Sequence, residues 1–477
     1  METECSQRTF GFQPIGGREV VARFDGGRVT SDAGGIFLRE IEERFRFVES
    51  FAACFADHRD PELIEHPLVD LLKQRLFALC LGYEDLNDHD LLRHDALLAT
   101  LVGKADPEGN DREHARDRGK ALAGKSTLNR LELTPVRADA KHRYKKIAAK
   151  VHALHEFFVE AFLIQHPAPP PRIVLDLDAT DDPVHGHQLG RFFHGFYDGY
   201  CFLPLYIFCG DHPLLALLRP ANIDAAAGAV KHLARIVARI REAWPNVEIV
   251  VRADSGFCRE ELMRWCEAHG VDYVFGLAKN RRLLAILGKE LHQAKQLFEQ
   301  SGEAARVFRD LTYQTRKSWS RPRRVIGKAE HLRKGANPRF VVTSLAADKF
   351  ASQELYEREY CARGDMENRI KEQQLCLFAD RTSCQTLRAN QLRLAFSTVA
   401  YVLMRALREF GLKGTPLQTA QADTIRLKLF KVGAVIRVSV RKVWIALSQA
   451  YPWQDLFGQV YEQLTAWRNS PAVPSSA

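Results

Sequence analysis

The sequence has no C-x-x-C pair and no long apolar run. Its ten cysteines are scattered over 477 residues, which is too thin for a disulfide scaffold, and none has the spacing of a zinc-binding pair. A membrane-spanning helix needs about 20 consecutive apolar residues, so we expect no integral membrane protein. The N-terminal residues METECSQRTF show no basic segment followed by an apolar one, so a secretory signal is not indicated. These absences predict a cytoplasmic protein with reduced thiols.

Apolar residues and cations are both abundant. The chain is 46% hydrophobic and 10% aromatic, which is enough to bury a sizeable core and excludes disorder over most of its length. Its length predicts roughly two to four domains of about 100–200 residues each. The 68 Lys and Arg against 59 Asp and Glu give a net charge of +9. This excess is small, so its distribution is more informative than its total.

The positive charge is concentrated in two segments. The first, residues 316–339, contains one acid, Glu330, and the following cations: Arg316, Lys317, Arg321, Arg323, Arg324, Lys328, Arg333, Lys334 and Arg339. The second, residues 426–442, contains no acid and the cations Arg426, Lys428, Lys431, Arg437, Arg441 and Lys442. Such clusters indicate a polyanionic partner such as DNA, with a solvated basic face as the alternative.

Hydrophobic periodicity divides the chain. Residues 1–170 have mostly helical spacing, and a Pro-rich stretch at 167–171 marks a boundary. Beyond it we expect an α/β layout with a mixed sheet. The expected strands are 173–178, 192–197, 202–209, 247–253 and 273–277, with a hairpin turn at Asp198–Gly199, a possible further strand at 214–218 and a β-rich segment at 306–345. The expected helices are 225–244, 260–269, 283–301, 366–378 and 387–410, and the tail 470–477 is expected to be frayed.

One segment matches the pattern of a phosphate-binding loop. Residues Gly119–Ser126 read GKALAGKS, but the preceding residues DREHARDR cannot form the buried strand that such a loop requires. We therefore interpret the match as a coincidence and expect no bound nucleotide. The alternative, a nucleotide-hydrolysing enzyme, would depend on Lys125 and would tolerate Asp178→Ala.

Three acids are better candidates for chemistry. Asp178 ends the strand at 173–178, which also carries Asp176, and Asp254 ends the strand at 247–253. Ligands of open α/β sheets collect at the carboxyl ends of strands. Two carboxylates brought together there repel each other unless a proton or a hard divalent cation intervenes. Glu367, in the first turns of a helix, is the candidate third acid, although acids at such positions also act as caps.

These segments together resemble the DDE transposases of bacterial insertion sequences. The family has D-x-T, D-x-G-F and Y-x-x-R-x-x-x-E segments, matched here by Asp178-Ala-Thr180, Asp254-Ser-Gly-Phe257 and Tyr360-Cys-Ala-Arg363-Gly-Asp-Met-Glu367. Residues 30–35 (TSDAGG), 81–89 (LGYEDLNDH) and 276–280 (GLAKN) are also similar to the family. The Lys that often follows the Glu by seven residues is replaced by Gln374, so either Lys371 takes over its role or the role is absent.

The resemblance implies a ribonuclease-H-like catalytic core at residues 171–290 and 346–411, interrupted by a basic β-rich insertion at 291–345. It implies an N-terminal helical region, 1–170, that binds the element ends, and a mainly helical C-terminal region, 412–477, with a basic or dimerisation role. In relatives with an insertion an aromatic residue stacks on an unpaired base, for which Trp319 is best placed; the alternative is that Trp319 belongs to a small β core. The segment 426–444 is interpreted as a hairpin or helix edge that binds DNA or forms a dimer.

The resemblance also implies the chemistry and the partners. Asp178, Asp254 and Glu367 would hold Mg²⁺ or Mn²⁺, as two ions, and would cut and join double-stranded DNA. Contacts to DNA are expected from Tyr360, Arg363, Lys371, Lys279, Arg316, Lys317, Arg321, Arg323 and Arg324, besides Trp319. The protein would act as a homodimer that joins two element ends in a bacterial cytoplasm. A catalytically inactive DNA-binding descendant of such an enzyme is the alternative.

Overall fold

The computed structural model describes residues 8–469, which form two compact units. The first unit consists of residues 8–149 and 399–469, and the second of residues 150–398. The units divide the chain differently from the expected domain boundaries, because residues 150–170 belong to the second unit and the boundary near the C-terminus falls inside a helix. The tail expected at 470–477 lies outside the described residues. Between residues 8 and 469, no helix is long and apolar enough to cross a membrane.

The secondary structure alternates between helices and strands. The strands are β1 (Phe10–Ile15), β2 (Arg18–Ala22), β3 (Arg28–Thr30), β4 (Phe55–Asp57), β5 (Ile147–Ala149), β6 (Arg172–Ala179), β7 (Asp182–Pro183), β8 (Phe192–His194), β9 (Gly199–Phe202), β10 (Leu205–Cys209), β11 (His212–Leu217), β12 (Glu248–Ala253), β13 (Asp272–Leu277), β14 (Ala305–Tyr313), β15 (Arg323–Leu332), β16 (Gly335–Ala336), β17 (Arg339–Thr343), β18 (Ala434–Ser439) and β19 (Lys442–Leu447).

The helices are α1 (Ile36–Phe45), α2 (Phe47–Ala52), α3 (Leu68–Leu81), α4 (His89–Leu92), α5 (Ala96–Val102), α6 (Lys125–Glu132), α7 (Val151–Leu163), α8 (Ala229–Ala243), α9 (Glu260–Ala268), α10 (Arg281–Ile286), α11 (Gly288–Ser301), α12 (Ser352–Glu354), α13 (Gly364–Leu377), α14 (Leu387–Gly411), α15 (Ala422–Ile425) and α16 (Gln454–Asn469). Two π-helical turns, Leu355–Tyr360 and Arg426–Phe430, follow α12 and α15.

The second unit is built on one large mixed sheet with the order β11-β10-β6-β12-β13-β17-β15-β14. The central strands β6, β12 and β13 are parallel, and the strands on either side of them are antiparallel. The central strands are mostly apolar and largely buried on both faces, as is typical of parallel strands covered by helices. The mixed α/β sheet expected from the sequence is thus confirmed.

Each face of this sheet has its own apolar layer. Leu175, Leu177 and Val251 pack against residues of the helices α7 to α11 in the larger core. Val250 and Val274 point to the other face, where the π-helical turn at Leu355–Tyr360 covers them. Because side chains alternate along a strand, Asp176 and Asp178 lie on this second face.

The β-rich segment expected as an insertion continues the same sheet. β17 pairs antiparallel with β13, aligning Phe275 with Val342, and β15 and β14 follow outward. The apolar run of β17 is buried between its neighbours, which gives the segment a place in the main core. It therefore extends the large sheet of the second unit and does not form a separate β unit.

The strand expected at 202–209 is broken in two. Pro204 lies between β9 and β10, and proline has no amide hydrogen to donate to a ladder. β9 pairs with β8 and β7 in a small separate sheet, whereas β10 pairs with β6 and β11. The expected hairpin is present, but its turn covers residues 195–198 and not Asp198–Gly199: β8 ends at His194, which pairs with Gly199, the first residue of β9. Asp198 has a positive φ of 50° in this turn.

The first unit is less helical than its periodicity indicates. β1 and β2 form a hairpin of mostly exposed residues, and β3 joins β18 and β19 in a three-stranded sheet. The expectation of a mostly helical N-terminal region missed these strands, because exposed strands bury no alternating apolar face. Residues 434–447 form a hairpin, one of the two forms expected for that segment.

The segments TSDAGG at 30–35 and LGYEDLNDH at 81–89 pack together inside the first unit. The Tyr83 hydroxyl donates to Asp32 Oδ2 at 2.6 Å, and Lys431 pairs with the other oxygen of Asp32. Gly34 lies so close to the chain at Leu429 that a Cβ there would be 1.8 Å from the Leu429 carbonyl oxygen. The glycine in this motif is therefore required by a close approach of two backbone segments.

Candidate active site

Asp178 and Asp254 lie side by side at the carboxyl ends of the two central parallel strands. The register aligns Leu177 of β6 with Ala253 of β12. The next residues, Asp178 and Asp254, therefore lie at the same edge of the sheet. Adjacent strands are about 4.8 Å apart. The Asp254 side chain accepts a hydrogen bond of 2.9 Å from the amide of Gly256, and the Asp178 side chain accepts one of 3.0 Å from Ala179.

Glu367 reaches this pair through Arg363. Glu367 lies in the first turn of α13, whose N-terminus lies at the same edge of the sheet. Nη2 of Arg363 binds Glu367 Oε1 at 2.6 Å, and Nη1 lies 3.8 Å from Asp178 Oδ2. The guanidinium thus lies between the first and third acids. Arg363 links the first and third acids, and the strand register places the second beside the first.

The electrostatics of Asp178 reflect this crowding. The pKa of Asp178 is raised to about 7, chiefly by burial; the Arg363 cation opposes the rise, and the nearby charges of Asp254 and Glu367 add to it. The carboxyl group is largely out of water, with 16% of the side chain exposed. A buried carboxyl surrounded by two further acids favours a bound proton or a bound cation.

Tyr360 closes one side of the site. Its hydroxyl lies against Gly276, where a Cβ would be 2.5 Å from the Tyr360 oxygen and 2.9 Å from the Ser255 amide nitrogen. Burial raises the pKa of Tyr360, so its hydroxyl remains protonated and can donate. The absence of a side chain at Gly276 allows the tyrosine to reach the backbone next to Asp254.

Asp176 has a structural role. Its two oxygens accept hydrogen bonds of 2.5 and 2.8 Å from Arg252 on the neighbouring strand. Arg252 also donates to the carbonyl of Glu359, just before Tyr360. The buried pair therefore ties the strands to the segment that carries the site, and both oxygens of Asp176 are engaged away from the three acids.

Gln374 anchors the helix that carries Glu367. Its side-chain amide donates to the carbonyl of Asp181 at 3.0 Å and to Asp182 Oδ1 at 2.8 Å. Asp182 is completely buried, and this burial raises its pKa to about 7. The position where relatives often carry Lys thus fixes α13 to the chain just after Asp178. Lys371, the expected substitute, is exposed on the same helix.

A pocket of about 290 Å³ adjoins Asp254. Ser255, Tyr360 and Lys279 line it, together with Tyr356 and Arg339. The side chains of Lys279 and Arg339 are exposed, so two cations are available beside the acids. Sequence reasoning expected Lys279 here but missed Tyr356, whose spacing of four residues from Tyr360 places both on one helical face.

Several cations of the basic segment 316–339 are used inside the fold. Arg323 is buried and pairs with Glu260 and Glu267 at 2.7 Å each. Arg324 binds Asp310 at 2.6 Å and donates to two carbonyl groups. These contacts do not fit the expectation that Arg323 and Arg324 bind DNA phosphates.

Trp319 likewise belongs to the core. Only 7% of the residue is exposed, and its ring packs edge-on against Tyr313, with the Arg323 guanidinium 5.5 Å from its centre. A buried ring has no free face for a nucleobase, so the alternative expectation, a core tryptophan, fits the structure. Arg316, Lys317 and Arg321 remain exposed, and Arg321 pairs with Glu267.

The acids are not arranged as a finished metal site. Within residues 8–469, no three His, Cys, Asp or Glu side chains lie close enough together to hold a metal ion. The donor set nevertheless fits a hard divalent cation, because it consists of carboxylate oxygens at the end of a sheet. The Arg363 cation lies between two of these donors.

The segment that resembles a phosphate-binding loop has a different environment. α6 begins at Lys125 itself, and in the described chain no strand directly precedes Gly119. The Lys125 ammonium group lies 3.3 Å from Asp90 and 3.2 Å from Asn87. These contacts explain the lysine at position 125 by its interactions within the fold.

Comparison with known proteins identifies one family. The family model described as "Transposase DDE domain group 1" matches residues 12–469 of the chain, nearly its whole length. No curated protein matches the sequence. The family match spans both compact units and contains all three acids.

Proposed function

The chain belongs to the DDE transposase family, and we propose that it binds the terminal inverted repeats of an insertion sequence and catalyses cut-and-paste transposition. The observation that carries this proposal is the convergence of Asp178, Asp254 and Glu367 around Arg363 at the carboxyl edge of the central strands. A mixed sheet with the first acid on its central strand and the second on the parallel neighbour supports a ribonuclease-H-like core.

Asp178, Asp254 and Glu367 are the residues that would hold Mg²⁺ or Mn²⁺, as two ions. When bound, the ions supply activation of water or of a DNA 3′-hydroxyl and stabilisation of the leaving oxygen. The chain contributes the orientation of its donors. The amide of Gly256 fixes the Asp254 carboxylate, and Gln374 fixes the helix that carries Glu367.

Arg363 and Tyr360 are proposed to position the DNA backbone. Arg363 can exchange one of its carboxylate partners for a phosphate oxygen, since a guanidinium offers five donors. The Tyr360 hydroxyl, protonated and next to Asp254, is a hydrogen-bond donor for a phosphate group. Neither residue needs to form a covalent bond with DNA.

Exposed cations of the second unit would hold the duplex. Lys279 lines the pocket beside Asp254, and Lys371, Arg316, Lys317 and Arg321 are exposed on the same unit. Such side chains bind phosphates without reading sequence. We propose that recognition of the element ends lies in the N-terminal region, and that two copies of the chain join two ends in the cytoplasm.

The test is cleavage of a DNA fragment that carries an end of the encoding element, with Mg²⁺ or with EDTA. We expect nicking at the element boundary that requires Mg²⁺ and falls roughly 100-fold or more in Asp254→Ala, while DNA binding persists. Asp272→Asn is the matched control, because Asp272 lies at the opposite end of the adjacent strand β13 and bonds to Ser344. Tight binding without cleavage in any metal would favour an inactive, transposase-derived DNA-binding protein.

A further inference from the structure

The far end of the β18–β19 hairpin projects as a two-stranded ribbon. Among residues 8–469, β3 pairs with Ala434 to Ile436 of β18, and from Arg437 onward the two strands of the hairpin pair with each other alone. The paired positions there are Arg437 with Trp444, Val438 with Val443, and Ser439 with Lys442. Val440, at the turn, is fully exposed. We call residues 437–444 the ribbon tip.

One face of the ribbon tip is polar and basic. Side chains alternate along each strand, so Arg437, Ser439, Lys442 and Trp444 share a face. Trp444 is 57% exposed, which is unusual for the largest apolar side chain. An exposed tryptophan between two cations indicates a surface that contacts a partner.

The charge of the ribbon tip is uncompensated. Residues 426–447 contain six cations and no acid. In the described part of the chain, Arg437, Arg441 and Lys442 have no acidic partner, whereas Arg39 and Lys104 of the same unit pair with acids. Cations that a fold leaves unpaired on a projecting element are available for a polyanion.

We propose that the ribbon tip inserts into a groove of double-stranded DNA and is a principal DNA contact of the first unit. The inference rests on the proposed function, since DNA is the substrate. The major groove is about 12 Å wide and admits a two-stranded ribbon. Arg437, Arg441 and Lys442 bind phosphates along the groove, and Trp444 packs against sugars and base edges.

A second copy of this chain fits the ribbon tip less well than DNA. β19 is an edge strand, so pairing with β19 of another copy is geometrically available. β19 and the turn before it carry the cations Lys442 and Arg441, and cations on an edge strand oppose that association. The charge therefore selects DNA as the occupant.

The test measures DNA binding by the full-length protein in EDTA, so that cleavage plays no part. The probes are a random-sequence duplex and a duplex with the element end, each titrated at several salt concentrations. For the triple variant Arg437→Ala, Arg441→Ala, Lys442→Ala we expect affinity to fall at least about 10-fold and the salt slope to decrease by about 2 to 3. Trp444→Ala should weaken binding without changing the slope.

Matched controls separate the ribbon tip from general charge loss. Lys289→Ala, Lys295→Ala, Arg358→Ala removes three exposed cations of the second unit and should leave affinity within about twofold. Arg437→Lys, Arg441→Lys keeps the charge and should keep the slope. Equal melting temperatures of all variants would show that the fold is intact.

The outcomes are distinct from those of the cleavage assay. An unchanged salt slope in the triple variant, with wild-type protein binding DNA, would overturn the ribbon proposal and leave the proposed function standing. Loss of a dimer in sedimentation with unchanged DNA affinity would make the tip a protein interface and also overturn it. Wild-type binding without metal-dependent cleavage would overturn only the catalytic part of the proposed function, and no binding by wild type would overturn both.

Discussion

Replacing Asp178 by Asn is expected to abolish cleavage and to stabilise the metal-free protein. The pKa of this carboxyl is raised to about 7 by burial and by the two neighbouring acids, against an ordinary value of about 3.9. A carboxyl whose pKa is raised in the folded state is ionised at a cost to stability. Asparagine has a similar shape and cannot ionise, so the variant avoids this cost.

The size of this stability cost follows from the difference between the pKa of Asp178 in the folded and the unfolded chain. Below about pH 4 the carboxyl is protonated in folded and unfolded chains alike, and no cost arises. Between about pH 4 and 7 the unfolded chain loses the proton while the folded chain keeps it, so the free energy of unfolding falls as pH rises. Above about pH 7 the full cost to the free energy of unfolding is present. A pKa difference of about 3 between folded and unfolded chains corresponds to about 4 kcal/mol. At pH 5 the cost to the free energy of unfolding is only about 1.5 kcal/mol.

The assay is the melting temperature of full-length wild type and Asp178→Asn, without metal, at pH 5 and pH 8. We expect the variant to melt about 8 °C or more above wild type at pH 8, and by a smaller margin at pH 5. Added Mn²⁺ should raise the melting temperature of wild type but not of the variant. Equal melting temperatures at both pH values would refute the argument that burial and neighbouring acids make ionised Asp178 costly.

Asp176→Asn is the matched control, two residues earlier on the same strand. Burial raises the pKa of Asp176 as well, but its partner Arg252 is always charged and only 8% exposed. Loss of the carboxylate leaves that cation buried without a counter-charge, which costs about 3–5 kcal/mol. The two substitutions should therefore shift the melting temperature in opposite directions at pH 8.

Three further outcomes are expected. Trp319→Ala removes a core side chain and should cost about 3–5 kcal/mol of stability, seen as a lower melting temperature, with DNA affinity unchanged; a selective loss of affinity would restore a stacking role. Gln374→Ala leaves Asp182 buried without a donor, costing about 1–3 kcal/mol, and should lower the cleavage rate at temperatures where the protein stays folded. Gly34→Ala forces a Cβ against the Leu429 carbonyl and should lower the melting temperature of the first unit or prevent its folding; a melting temperature equal to wild type would contradict the close approach.

The central strands and the acids at their ends could be predicted from the sequence. The runs that end at Asp178 and Asp254 are apolar and β-branched, and such runs indicate buried strands whose ends gather polar groups. The helix of Glu367 was also predicted, and α13 begins two residues before the predicted start. These features depend on local pattern, which a sequence records directly.

The partners of the cations could not be predicted. Arg323 pairs with Glu260 and Glu267, acids 63 and 56 residues away in the chain, and nothing local distinguishes it from exposed Arg321. The β1–β2 hairpin was missed for another reason, because its residues are mostly exposed and have no amphipathic pattern. Hydrophobic periodicity indicates neither which distant residues form ion pairs nor where strands with exposed faces lie.

The first unit consists of two stretches of sequence, one before and one after the residues of the second unit. This division sets the order in which the units can form during synthesis. Gly34 leaves the ribosome early, but the segment it packs against, around Leu429, is made about 400 residues later. At roughly 5–20 residues per second this delay is about 20–80 s. Among the described residues the second unit ends at 398 and can fold first, so a nascent chain carries the assembled large sheet while the first unit still awaits its C-terminal segment.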